Sequence, residues 1–386
     1  MINKMKKISQ MIVFIVCIIF LSGLPCAARV YAAAGSFTTS RLGNNLKGTD
    51  KILYNKLKGC ITEVAEGKSY STEFKISLKD LGISDKKYSA SDLGIKRIFK
   101  DGNVTADASD ALYSIIGIDQ TLVLDCLVND FPYELYWFDK TAGAEIYLPE
   151  YGASKSGSAE SIYFTSGVSA RFRVSDDYSD GSAFKVDSAA VSKAKTAKSN
   201  AAAIVNKYAS SSDYEKLYGY RKEICSLASY NTDAASGNVS YGNPWQLIWV
   251  FDRDPSTNVV CEGYAKAFQY LCDLTSFSSN VDCITVSGVM SGGTGAGSHA
   301  WNIVKMPDGN NYLVDIGNCD EGSVGADDKL FLAGTGGSAS GGSRAEGPGT
   351  RRAPAPSHAG TCASSSARAS GSRCPGPFHG FASRHR

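Results

Sequence analysis

A single histidine, His299, lies between residues 35 and 333 of this 386-residue chain. If imidazole serves as a base anywhere in that stretch, it is this one. Cys261 opens the run Cys-Glu-Gly-Tyr-Ala-Lys-Ala-Phe-Gln-Tyr-Leu-Cys. Within it Tyr264, Phe268, Leu271 and Cys272 fall at i, i+4, i+7 and i+8, one face of a helix. Asp254-Pro-Ser-Thr-Asn just upstream supplies loop and capping residues. Cys261 is therefore expected at or near a helix N-terminus. Unpaired N–H groups and the positive end of the helix dipole favour a thiolate there, and a nearby imidazolium favours it further. The chemistry this offers is nucleophilic attack on a carbonyl.

A third group is needed to orient the imidazole, and strand register decides whether one is within reach. His-Ala-Trp-Asn-Ile-Val-Lys-Met from His299 reads as a strand, Pro307-Asp-Gly as a turn, and Asn311-Tyr-Leu-Val-Asp-Ile as the returning strand. Pro-Asp-Gly suits a three-residue loop, a type I turn followed by Gly309 in the left-handed region. Met306 then closes against Asn310, and Trp301 lies opposite Asp315. His299 and Asp315 share a face, one diagonal apart, at a distance side chains can bridge. An even-numbered loop would place them on opposite faces. Taken singly, each residue has a structural reading: a core cysteine, a hydrogen-bonded strand histidine, a strand-end cap. Together they have the composition of a nucleophile–base–acid triad.

The segments C-E-G-Y-A-K-A-F, H-A-W-N-I-V-K and Y-L-V-D, with Cys, His and Asp in that order at gaps of 38 and 16 residues, resemble the core of the transglutaminase-like superfamily. The similarity spans about 190–333. It implies an α+β, papain-like core in which the nucleophile helix packs on an antiparallel sheet. It also implies thiol acyl transfer without a cofactor, with Cys261 as nucleophile, His299 as base and acid, and Asp315 as orienter. Many relatives carry Thr two positions after the Asp; Gly317 stands there in this chain, which implies weaker support behind Asp315. One oxyanion donor would be the Cys261 backbone N–H. Gln246, Trp245 and Tyr230 are the candidates for a second. Gly295-Ala-Gly-Ser-His-Ala also fits a dinucleotide-binding pattern, but a strand follows where that motif needs a helix. The run Gly288 to Ser298 reads instead as a mobile loop bordering His299.

The elements that must position these groups begin near Ser188. Ala, Lys and Ser dominate through Tyr208, and a second helical run covers Tyr214 to Leu227. A transglutaminase-like domain is thus expected over 186–333. A smaller mixed α/β domain of unassigned role is expected over 35–185. There Thr72-Glu-Phe-Lys-Ile-Ser-Leu alternates as a half-buried strand does. Ser161-Ile-Tyr-Phe-Thr and Ala170-Arg-Phe-Arg-Val read as the arms of a hairpin. Asp176–Gly181 is only loosely like a calcium loop, because Tyr178 takes a ligand position, and reads as a plain turn.

Residues 1–34 read as a secretory signal. Lys4, Lys6 and Lys7 precede an apolar run from Ile8 to Leu24, and Ala32-Ala-Ala offers a cleavage site. No membrane span is expected after cleavage, and the mature protein is expected to be secreted or at the cell surface. Residues 35–333 carry 29 basic against 37 acidic residues, which argues against a nucleic-acid partner. Their seven cysteines are odd in number, contain no C-x-x-C and have one histidine for company, which argues against zinc. In 334–386, Gly, Ala, Ser, Pro and Arg make up 42 of 53 residues, with no Lys, Ile, Leu, Val, Met or Tyr. Such a tail is expected to be disordered. A natural basic tail and a shifted reading frame both account for the break, and resequencing the gene separates them. The reading is an exported thiol enzyme acting on amide bonds of extracellular protein or cell-wall peptide, as peptidase, deamidase or transamidase. The alternative is a catalytically silent binding module on the same fold.

Overall fold

The computed structural model describes residues 41–290, 297–320 and 329–334. The expected signal segment and the basic tail lie outside these. Helix α1 (Gly48–Ala65) buries Leu53, Tyr54, Leu57, Ile61 and Val64, the stripe its 3.6-residue period creates. Two further helices follow, α2 (Ala106–Ile116) and α3 (Gln120–Asp130). By length and composition alone, 106–130 is apolar enough to cross a membrane. It is not one helix: Gly117 takes φ 58° and the Asp119 side chain accepts from Leu122 N–H to start α3 afresh. Each piece spans about 16 Å, half a bilayer core, and Leu112, Leu124 and Leu127 are buried in the protein.

Besides a two-residue hairpin pair, Phe99–Lys100 with Asn103–Val104, the strands of this region are β1 (Glu73–Ile76), β2 (Ala144–Tyr147), β3 (Tyr151–Ser156), β4 (Ala159–Phe164) and β5 (Val168–Phe172). In β1, Phe74 and Ile76 are buried and Glu73 and Lys75 exposed, the alternation a half-buried strand requires. The hairpin expected between 161–165 and 170–174 does not form. β4 pairs antiparallel with β3, whereas β5 is the centre of a separate antiparallel sheet, β1-β5-β2. The cause is local. Gly167 passes so close to the Ile76 carbonyl that a Cβ would sit 2.1 Å from its oxygen, so only glycine lets the chain cross onto β1 here. Asp176–Tyr178 forms a single 3₁₀ turn with Tyr178 buried.

Helix α4 (Ser188–Lys207) starts at Asp187, whose carboxylate accepts from Ala189 N–H, and buries an alanine stripe at 190, 194, 197 and 201. Helix α5 (Asp213–Leu227) opens on a capping box between Ser212 and Glu215. Two four-residue turns of helix, Thr232–Ala235 and Ile248–Phe251, lead to α6 (Cys261–Asp273). Then come β6 (Asp282–Met290), β7 (Gly297–Lys305) and β8 (Asn311–Val314), an antiparallel sheet in the order β8-β7-β6. The chain is thus a mixed α/β protein with antiparallel sheets, and α6 packs on the last of them. All described residues fall in one compact unit.

Two further expectations need correction. The 254–258 stretch supplies the turn but no cap for α6: the Asp254 carboxylate accepts from Ser256 N–H within that turn, and the helix N-cap is Val260, with no side-chain cap. The Gly288–Ser298 run is not a loop throughout, since β6 continues to Met290 and β7 begins at Gly297; 291–296 lie outside the described residues. Gly263, in the first turn of α6, has a packing reason. A Cβ there would lie 2.6 Å from Val259 Cβ and 3.1 Å from the Pro244 carbonyl oxygen. Gly263→Ala is expected to destabilise the protein by about 1–3 kcal/mol through overpacking, read as a lower urea midpoint at unchanged slope.

Candidate active site

Cys261 is the first residue of α6, and no side chain caps that end. The helix is held there by its neighbours. Val260 N–H donates to the Pro244 carbonyl at 2.9 Å, and Asn302 Nδ2 donates from β7 to the Ala265 carbonyl at 2.9 Å. Nearly every residue from Glu262 to Cys272 is buried, so the thiol sits at the tip of a rigid element.

The turn after β7 takes the three-residue form. Met306 N–H donates to the Asn310 carbonyl at 3.0 Å, Gly309 N–H donates to the Met306 carbonyl at 2.9 Å, and Gly309 has φ 80°. Val314 pairs with Asn302, which leaves Asp315 level with Trp301 and diagonal to His299. The result is a bond of 2.7 Å between His299 Nε2 and Asp315 Oδ2, both residues buried. With Nε2 taken, Nδ1 is the nitrogen left for the thiol, and the His299 ring is hydrogen-bonded to Cys261. Burial opposes charge on the ring. The Asp315 carboxylate and Cys261 outweigh it and push the imidazole up to about 10. The Trp301 ring stacks on His299 at 5.8 Å and 23°; Gly288, the cross-strand partner of His299, leaves room for that ring.

Asn318 is a member of this group that sequence reasoning missed. Its backbone N–H donates to Asp315 Oδ1 at 3.1 Å and its Nδ2 to Asp315 Oδ2 at 2.7 Å, and Nδ2 lies 3.2 Å from His299 Nε2. The support that Gly317 withholds thus comes from the next residue. A single 3₁₀ turn, Gly317–Cys319, makes the geometry possible, with Cys319 N–H donating to the Asp315 carbonyl at 3.0 Å. A polar residue three places after a strand-end Asp is the only signal that could have pointed to it.

The three candidates for a second oxyanion donor separate clearly. Both ends of the buried Gln246 amide are occupied: Nε2 donates to the Phe138 carbonyl at 3.3 Å, and Oε1 accepts from Lys266 at 2.9 Å. Trp245 stacks on Tyr241 at 5.3 Å. Tyr230 alone reaches the thiol, its oxygen hydrogen-bonded to both the Cys261 side chain and the Cys261 N–H. Burial of its hydroxyl, then Cys261 beside it, pushes the Tyr230 phenol up to about 12.

Glu262, next to Cys261, would place a negative charge in the first turn of α6. It is buried and answered three times over. Lys140 from the N-terminal region pairs with one oxygen; Lys266 at 2.9 Å and the Tyr241 hydroxyl at 2.8 Å hold the other. Burial works against the carboxylate, but Lys140 and Lys266 overcome it and hold the group at about 2. Lys140→Met leaves Glu262 with one cation and is expected to cost about 1–3 kcal/mol, measured by urea denaturation at pH 7. Glu262 is the depressed-carboxylate case. The stabilisation is present above its unfolded value and fades as pH falls towards 2, so the gap between variant and wild type should narrow in acid.

Among the described residues, no group of three His, Cys, Asp or Glu could hold a metal ion. No family model and no curated protein sequence matches the chain. Among solved structures it is similar to a chain described as "Crystal structure of a TGase", at 14% identity and a TM-score of 0.28. The likeness covers 46% of this chain and 46% of that one, so it spans under half of that protein's length.

Proposed function

We propose that the protein is a transglutaminase-like thiol enzyme that transfers acyl groups from amides. Cys261 Sγ attacks the amide carbonyl, and His299 gives its proton to the departing amine or ammonia, leaving a thioester on Cys261. Water or a second amine then adds to the thioester, His299 takes the proton of the incoming nucleophile, and the thiol is regenerated. Asp315 holds the ring and stabilises its charge throughout. The observation carrying this reading is the meeting of a helix-tip thiol, an imidazole and a buried carboxylate, with Nε2–Oδ2 at 2.7 Å. If the chain is exported, extracellular protein or cell-wall peptide is the substrate class.

One observation favours a second reading, a silent binding module. The Tyr230 oxygen occupies the Cys261 N–H, where an oxyanion would need it. Intact-mass spectrometry with glutamine-containing peptides, with and without a primary amine, separates the two. The enzyme reading expects an acyl adduct on wild type that is lost in Cys261→Ala, and amine incorporation if transamidation operates. Peptide binding with no adduct and no turnover establishes the silent module.

A further inference from the structure

We propose that Cys272 and Cys283 form a disulfide that ties the C-terminal end of α6 to β6. The pairing follows from how this helix lies on this strand. Ala265, Gln269 and Cys272 stand at i, i+4 and i+7, one stripe of α6. On β6, Cys283 and Thr285 point to the same face. Thr285 fixes the alignment: its N–H donates to Gln269 Oε1 at 2.6 Å and its hydroxyl donates to the Ala265 carbonyl at 3.3 Å. One turn further along the helix and two residues back along the strand bring Cys272 over Cys283. Their side chains are hydrogen-bonded to each other, and both are buried in the same apolar cluster. Burial, then Cys272 itself, pushes the Cys283 thiol well above its ordinary value, so it is no reagent towards solvent. All seven described cysteines are thiols in this structure. In the oxidation each thiol of the pair loses a proton and an electron. The acceptor is the disulfide of a thiol oxidoreductase or of oxidised glutathione, which is reduced to two thiols. Ten residues lie between the pair, a loop short enough to close readily while the chain folds. The bond would lock the far end of the helix whose tip carries Cys261, and it needs no catalytic role for Cys261.

The test is refolding of the full chain in a reduced and oxidised glutathione mixture. It is followed by denaturation, iodoacetamide without reductant, and trypsin. No Lys or Arg lies between 267 and 304, so both cysteines leave in one peptide, 267–305. The expected result is that this peptide takes no carbamidomethyl group and is two hydrogens lighter than its reduced form. Chymotryptic halves cut after Leu274 should stay joined until reductant is added. The same oxidation in strong denaturant is the control, since an 11-residue spacing links some chains by chance. Protection must be near complete only in the refolded protein. Two carbamidomethyl groups on this peptide after refolding, or either cysteine linked to a different partner, would overturn the proposal.

Discussion

Cys261→Ala should lower amide turnover by about five to six orders of magnitude, and His299→Ala should lower it by nearly as much. The double variant should be no worse than either alone, because in the proposed mechanism nucleophile and base act as one unit and their losses do not add. That pattern follows from the ring's being bonded to the thiol on one side and to Asp315 on the other: removing either reacting group leaves the other with nothing to do. KM should change little in both, since neither residue is expected to supply uniform substrate binding. Single-turnover kinetics on wild type and the three variants, with folding checked by circular dichroism, measures this. A silent module would show equal, negligible turnover in wild type and variants.

The second large effect concerns Asp315. In Asp315→Asn the side chain keeps its shape but no longer offers a negative oxygen to Nε2, and kcat is expected to fall by about 10³–10⁴. The pH profile should move with it. Burial alone lowers the imidazole, and Asp315 is the largest of the groups that raise it to about 10. Without the carboxylate the His299 midpoint should drop by several units, towards or below its ordinary value of about 6.5. The stability consequence has a definite sign. A folded-state value raised above the unfolded one stabilises fully below about 6.5, and that contribution is lost as pH rises through about 10. Wild type should therefore lose stability between about pH 6.5 and 10 more steeply than Asp315→Asn does. Urea midpoints across that window test the slope. Asn318 would lose its carboxylate partner in the same variant, so part of the stability change at neutral pH belongs to that contact.

The legible parts of this site were those governed by local rules. The apolar period after Cys261 placed it at a helix start, and Pro307-Asp-Gly set a register that brings His299 and Asp315 to one diagonal. What sequence could not show depends on groups far apart in the chain. Lys140 reaches Glu262 across 122 positions, and no local pattern signals that pairing. The pairing of β5 with β1 and β2, instead of a hairpin with β4, brings Gly167 close against Ile76, an approach between distant segments that turn chemistry does not contain. The Asn318 contact depends on a 3₁₀ turn after β8, where the periodicity of the strand had already ended. The expected cap of α6 failed because Asp254 satisfies its own turn first, the competition that short polar side chains always present.

In the proposed mechanism His299 is the charged member of a bonded thiol–imidazole–carboxylate group, and titration of the labelled histidine rings by NMR tests this without needing a substrate. The chain has four histidines, and the His299 signal is the one missing from His299→Ala. A midpoint near 10 is expected for that signal, falling in both Cys261→Ala and Asp315→Asn. A His299 midpoint near 6.5 that neither variant moves would contradict it.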